Sequence, residues 1–173
     1  MLTNSAISNQ HPAISVTAHM IQVLLVLHVL VGAALLGAIT HQSFSVARRP
    51  TAPGRSFVDR FRGVNSPTFT NVTVLLFFAN VVLGGLLYPQ YRVEVRPTLE
   101  DLQLRAANGI FETKEHFAAV ALGLLPAYWL AWRPPLLPAR ADTRKYLTWI
   151  LAFVAWWSFV VGELLNNIKG LFP

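Results

Sequence analysis

The chain contains no cysteine. That excludes disulfides, thiolate metal sites, iron–sulfur clusters and thioether-linked haem. Charge is scarce too: Asp, Glu, Lys and Arg make up 13% of the 173 residues, where a soluble domain carries about one quarter. With 54% hydrophobic residues and a mean hydropathy of +0.46, this deficit points to a membrane protein. Common catalytic signatures are missing as well. There is no H-E-x-x-H, no G-x-S-x-G, no P-loop and no G-x-G-x-x-G. The opening MLTNSAISNQHPAISVTAHM has no basic region ahead of a short apolar core, so a cleaved signal peptide is not expected.

What is present is four long apolar runs. A helix needs about 20 mainly apolar residues to cross the hydrocarbon, and residues 17–42, 67–88, 112–132 and 146–167 qualify. None alternates with period two, so helices and not a barrel are expected. The prediction is an all-α, antiparallel four-transmembrane-helix bundle forming a single integral membrane domain over residues 1–173. Pro126 is expected to kink the third helix. Asn71-Val72-Thr73 fits a glycosylation sequon but falls at the end of a span, so it is read as chance.

Net charge is +6, and its distribution sets the orientation. Arg48, Arg49, Arg55, Arg60 and Arg62 lie in the first loop, and Arg133, Arg140, Arg144 and Lys145 in the third. The positive-inside rule puts these loops in the cytoplasm and both termini on the outer, periplasmic side of a bacterial inner membrane. No basic stripe is interleaved with exposed aromatics, so no nucleic-acid partner is expected. Tyr88, Tyr91, Tyr128, Trp129, Trp132, Tyr146 and Trp149 fall near span ends, as interfacial anchors do. Of Trp156 and Trp157, one is expected inward and one toward lipid. The middle loop, residues 89–111, contains RPTLEDLQLRAANG, which predicts a short amphipathic helix stopped by Asn108-Gly109. It lies over the bundle or docks another membrane subunit.

Ionisable residues within spans are costly and invite a functional reading. His28 sits about 16 Å along the first helix at 1.5 Å per residue, too deep to reach the interface. Gly32 follows on the same face one turn later. That leaves room for a flat macrocycle or for close helix packing. His41 lies about 20 Å further and about 140° around the helix, at the interface. His19 is at the other end. His116, on the third helix, matches His19 in depth reckoned from a span start near residue 112, whereas burial favours His28 as a ligand. The same reckoning places Glu163 level with Lys114 and His116 and predicts an ion pair with one of them. Histidines within a four-helix bundle core suit a cofactor, and haem iron accepts such ligation. The metal-ligand candidates are therefore His28 and His116, with His19 and His41 as alternatives.

The segments LHVLVGAALLG (His28, Gly32, Gly37) and FETKEHFAAVALGLL (Lys114) resemble a group of small four-helix membrane proteins. This group holds the copper-resistance D-type proteins, the HemJ-type protoporphyrinogen oxidases and related haem b-binding families. The resemblance covers the layout of about two thirds of the chain. It implies that His28 ligates haem b and that Lys114 stands near the macrocycle. The oxidase type places its histidine near the helix start, whereas His28 is central, and the long middle loop and His116 are additional. The oxidase activity is therefore not carried over. Two expectations follow. One is a b-type cytochrome-like subunit that passes electrons, with haem b or quinone as cofactor, in a respiratory or photosynthetic complex. The other is a cofactor-free structural or assembly subunit of such a complex.

Overall fold

The computed structural model describes residues 10–47 and 66–171, with side chains over 19–47 and 69–167. The arginines of the first loop lie outside the described residues. Four long helices carry the fold: α1 (Gln10–Ala47), α2 (Ser66–Gln90), α4 (Arg105–Trp132) and α5 (Ala141–Leu171). A short α3 (Arg96–Asp101) lies between α2 and α4. Among the described residues there is no strand. Helix α1 packs on α2 and α5, and α4 packs on α2 and α5, so the four close into a ring.

Three segments are long and apolar enough to cross a membrane: His19–Ala47, Phe69–Asp101 and Pro138–Asn167. Large apolar side chains such as Leu30, Leu75, Phe78 and Phe153 point outward, as lipid-facing positions do. Helix α4 is the exception. Its 28 residues reach about 42 Å, ample to cross, but Arg105, Glu112, Lys114 and Glu115 dilute its first half. Two of those charges, Lys114 and Glu115, pair with each other at 2.8 Å.

The middle connection departs from expectation. Pro89 removes a backbone donor near the end of α2. The next residues, Tyr91–Val95, form a π-turn in which the Arg96 N–H donates to the Tyr91 carbonyl. Helix α3 ends at Asp101, and Gln103 turns the chain with φ 58°. Helix α4 then starts at Arg105 and runs straight through Asn108 and Gly109, the expected stop. The reason is visible. Asn108 does not cap, because its Oδ1 accepts a 2.6 Å hydrogen bond from the Tyr91 hydroxyl, and Gly109 keeps a negative φ. Pro126 also lies inside an unbroken α4.

Two apolar clusters sit at different levels. The main one joins Leu35, Ile39, Phe77, Leu125, Tyr128, Leu151 and Ala155 from all four long helices. The second packs Tyr91 and Leu99 from the middle connection against Val161 and Leu165 of α5. The Tyr91 and Phe111 rings stack at 3.6 Å. Tyr91, Tyr128 and Trp132 are thus core residues and not the interfacial anchors expected, whereas Trp129, Tyr146 and Trp149 are exposed. Trp157 packs inward against the second cluster and Trp156 is exposed, donating to Thr40 Oγ1 at 2.9 Å.

Near the main cluster runs a buried polar layer. The Tyr128 hydroxyl donates to Gln42 Oε1, and Gln42 Nε2 donates to Thr70 Oγ1 at 2.8 Å. This chain ties α4 to α1 and α1 to α2. Trp132 Nε1 donates to Thr148 Oγ1 at 3.1 Å and ties α4 to α5. Beyond it, Arg140 donates to the carbonyl of Leu130 in the last turn of α4, and Arg144 to that of Leu137 in the connection that follows. Removing the central amide should unbalance the layer. Gln42→Ala is expected to cost about 1–2 kcal/mol, since it takes from the buried Tyr128 hydroxyl the acceptor it donates to in an apolar core. Val46→Ala, which only trims packing beside the cluster, should leave hydroxyl partnering intact, so a Gln42→Ala/Tyr128→Phe double variant should recover part of the loss and Val46→Ala/Tyr128→Phe should not. Thermal unfolding in a detergent micelle measures both.

Candidate functional site

The other half of the bundle holds a cavity of about 200 Å³. All four long helices line it. Helix α1 gives His28 and Gly32, α2 gives Asn80 and Gly84, α4 gives Lys114 and Glu115, and α5 gives Ser158, Gly162, Glu163 and Asn166. The buried Leu35, Phe77 and Ala155 make the floor. Glu163 and Asn166 are exposed and make the mouth.

Three helices repeat one local device. His28 precedes Gly32, Asn80 precedes Gly84, and Ser158 precedes Gly162, each pair one turn apart on one face. At two of the three the glycine faces the polar side chain of the neighbouring helix. At Gly84 this is tight: a Cβ there would lie 3.3 Å from His28 Cε1. At Gly32 a Cβ would meet Asn80 Oδ1 at 3.4 Å.

The consequence is chemical. His28 Nδ1, Asn80 Oδ1 and Ser158 Oγ are all buried and have no hydrogen-bond partner within the protein. A buried polar atom without a partner costs roughly 1–3 kcal/mol, and native proteins leave few of them. Thr73 Oγ1 and Trp157 Nε1 are unpartnered elsewhere, but only at this cavity do three such atoms, from three helices, share one space, which makes it the candidate site. The site also holds charge. Lys114 Nζ bonds Glu115 Oε1 at 2.8 Å and lies 4.5 Å from the centre of the Phe111 ring. Glu163 lies at the mouth. The ion pair expected between Glu163 and Lys114 or His116 is not formed; the neighbour in sequence takes Lys114 instead.

Of the sequence-predicted residues, His28, Gly32 and Lys114 line this cavity and His116 does not. His116 is exposed, and its Nδ1 lies 2.7 Å from the Glu112 carbonyl on its own helix. The depth reckoned from residue 112 placed Lys114 at the bundle's end. Because α4 begins at Arg105, Lys114 sits nine residues along it, deep enough to share the cavity with His28. His19 is exposed. His41 stacks on Phe69 with ring centres 5.1 Å apart, at the opposite end of α1. Asn80, Gly84, Ser158 and Asn166 were not among the expected site residues. The polar–x–x–x–Gly spacing they share with His28 and Gly32 is the signal that would have found them.

The haem b that the resemblance implies can be tested against these residues. Among the described residues His28 is the only imidazole in the cavity, so a haem there would take one histidine ligand from it and not two. Pockets for sizeable ligands run to about 300–1,000 Å³, above the volume here. The donor set suits a small ring bearing hydrogen-bonding oxygens better than a bis-histidine haem. No family model, no curated protein and no solved structure matches this chain, so the site stands on its own geometry. The contact at Gly84 gives a test. Gly84→Ala should shift the His28 ring resonances in nitrogen-15 NMR, whereas Gly85→Ala, which meets nothing within 4 Å, should leave them in place.

Proposed function

We propose that the protein is a membrane electron-transport component whose cavity binds the headgroup of a quinone. The observation that carries this reading is the convergence of His28 Nδ1, Asn80 Oδ1 and Ser158 Oγ, all unpartnered, on one cavity. A quinone ring is flat and carries two carbonyl acceptors, and the Ser158 hydroxyl and a protonated His28 nitrogen are donors suited to them. Its reduced form carries two hydroxyls, which Asn80 Oδ1 can accept. The apolar tail leaves the ring between helices whose outer faces are apolar. Binding alone moves no electrons. Reduction takes two electrons from a partner redox protein and two protons, one to each ring oxygen, and gives the quinol.

All four long helices cross the membrane in this reading. The 133–140 segment and the arginine-bearing first loop face the cytoplasm, as their basic residues favour, and the α3 connection faces outward. Lys114 and Glu115 enter the bundle as a pair, which lowers the cost of carrying them there.

Two measurements test the reading. Organic extraction of the purified protein should yield quinone in a ratio near one per chain, and His28→Leu combined with Ser158→Ala should lower that yield about tenfold, the loss of two hydrogen bonds. A visible spectrum with haem bands and no extractable quinone would restore the haem reading; neither chromophore would favour the structural-subunit reading. The topology is tested separately. The chain lacks cysteine, so Val93→Cys and Leu137→Cys, both at exposed positions, each provide a single thiol. An impermeant maleimide should label Val93→Cys from the outer side and Leu137→Cys only after the membrane is opened.

A further inference from the structure

The cavity has an asymmetric charge. Lys114 and Glu115 neutralise each other at 2.8 Å. Glu163 is the remaining carboxylate on the wall, and it leaves the site with one net negative charge when His28 is neutral. Its position matters as much as its sign. Glu163 is exposed, Glu115 is half-buried and the buried Nδ1 of His28 lies deeper. Ser158 is on the same helix as Glu163, about 7.5 Å further in. Titratable groups are therefore graded in burial from the mouth inward.

Among the described residues, a smaller pocket of about 100 Å³ at the opposite end, beside Arg133, does not share the lining of this cavity. There Tyr128, Gln42 and Thr70 bond one another and are fully buried beside Leu125 and Leu151. The middle connection covers another side, where Leu99 and Tyr91 pack on Val161 and Leu165. The polar, exposed opening of the cavity is the Glu163–Asn166 edge.

We propose that Glu163 takes up protons at this mouth and supplies His28 through the Lys114–Glu115 pair. A proton from water converts the Glu163 carboxylate to the acid. Passing that proton inward by way of Glu115 protonates His28 Nδ1 and returns Glu163 to the carboxylate, so charge and protons balance. The groups that face His28 from the packed helices are Lys114 and Glu115 on α4, Glu163 on α5 and the neutral Asn80 on α2. The path deepens the quinone reading and rests on it only for the use of the protons.

The test follows His28 without added quinone. Full-length protein labelled with nitrogen-15 histidine is placed in liposomes in one orientation, with a His28→Gln sample to assign the resonance. Protonation of His28 is then followed after a pH jump on one side. In the wild type it should respond to a jump on the α3 side. Glu163→Gln should slow the response roughly tenfold or more, and Glu163→Asp should retain most of it. Asp142→Asn, at the far end of α5, should change nothing. Equal rates in wild type and Glu163→Gln would overturn the proposal. So would a wild-type response only to a jump on the 133–140 side, a result that needs no variant to fold. Quinone missing from extracts with the response intact would remove the quinone reading and leave the path. Quinone present with equal rates would remove the path alone.

Discussion

Inside a bundle with apolar outer faces there is no water to take the place of a missing hydrogen-bond partner. Each buried polar atom must find a partner in the protein or in a ligand. This constraint divides the molecule into two halves. In the half around Gln42, the Tyr128, Gln42 and Thr70 side chains bond one another across three helices, with the Thr73 hydroxyl alone unpartnered among the described side chains there. In the half around His28 the imidazole Nδ1, the Asn80 Oδ1 and the Ser158 Oγ face a space and have no partner within the protein. The first arrangement fixes how α1, α2 and α4 meet. The second is tolerable because the first already holds the helices, so the cavity does not have to close on itself.

Helix α5 connects these roles through two faces. Ala155, Ser158, Gly162 and Asn166 look into the cavity. Val161 and Leu165, offset from them around the helix, pack under Tyr91 and Leu99. Apolar attraction between helices is weak where the surroundings are also apolar, and fit and polar contacts decide their arrangement. The middle connection supplies that fit. Its π-turn and the Tyr91–Asn108 hydrogen bond join α2 to α4, and Leu99 presses on α5. The connection thus braces the wall that carries Ser158 and Glu163, without entering the cavity.

The four long helices were legible because hydropathy is a summed property and tolerates local error. Local signals were less secure. Asn108-Gly109 has the composition of a stop, but Asn108 is held by Tyr91, seventeen residues earlier in sequence, and no local window contains that contact. The start expected near residue 112, from the extent of the apolar run, likewise put Lys114 too near the end of the bundle when depth is reckoned along the helix. Tyr128 and Trp132 were misplaced for a similar reason. Near a span end, an aromatic facing lipid headgroups and one bonded to Gln42 or Thr148 have the same sequence context. His28 was legible as a single costly residue. Its setting was not, because Asn80 and Ser158 are uncharged and draw no notice in apolar runs until the fold brings them together.

The spacing shared by His28–Gly32, Asn80–Gly84 and Ser158–Gly162 has a physical reason that applies to each helix separately. In a bundle core a polar side chain is normally covered by the side chain one turn away. A glycine at that position offers no side chain, and at two of the three it faces the polar side chain of the neighbouring helix: a Cβ on Gly84 would stand 3.3 Å from His28 Cε1. One such pair alone serves packing. Three of them aimed at one space leave three polar atoms unmatched, and close packing would not leave them so. The His28 ring bonds the backbone of Asn80, yet its Nδ1 and the side-chain oxygens of Asn80 and Ser158 are not joined to one another as Gln42 is to Tyr128. Leaving them apart makes sense if a partner with its own oxygen atoms comes between them.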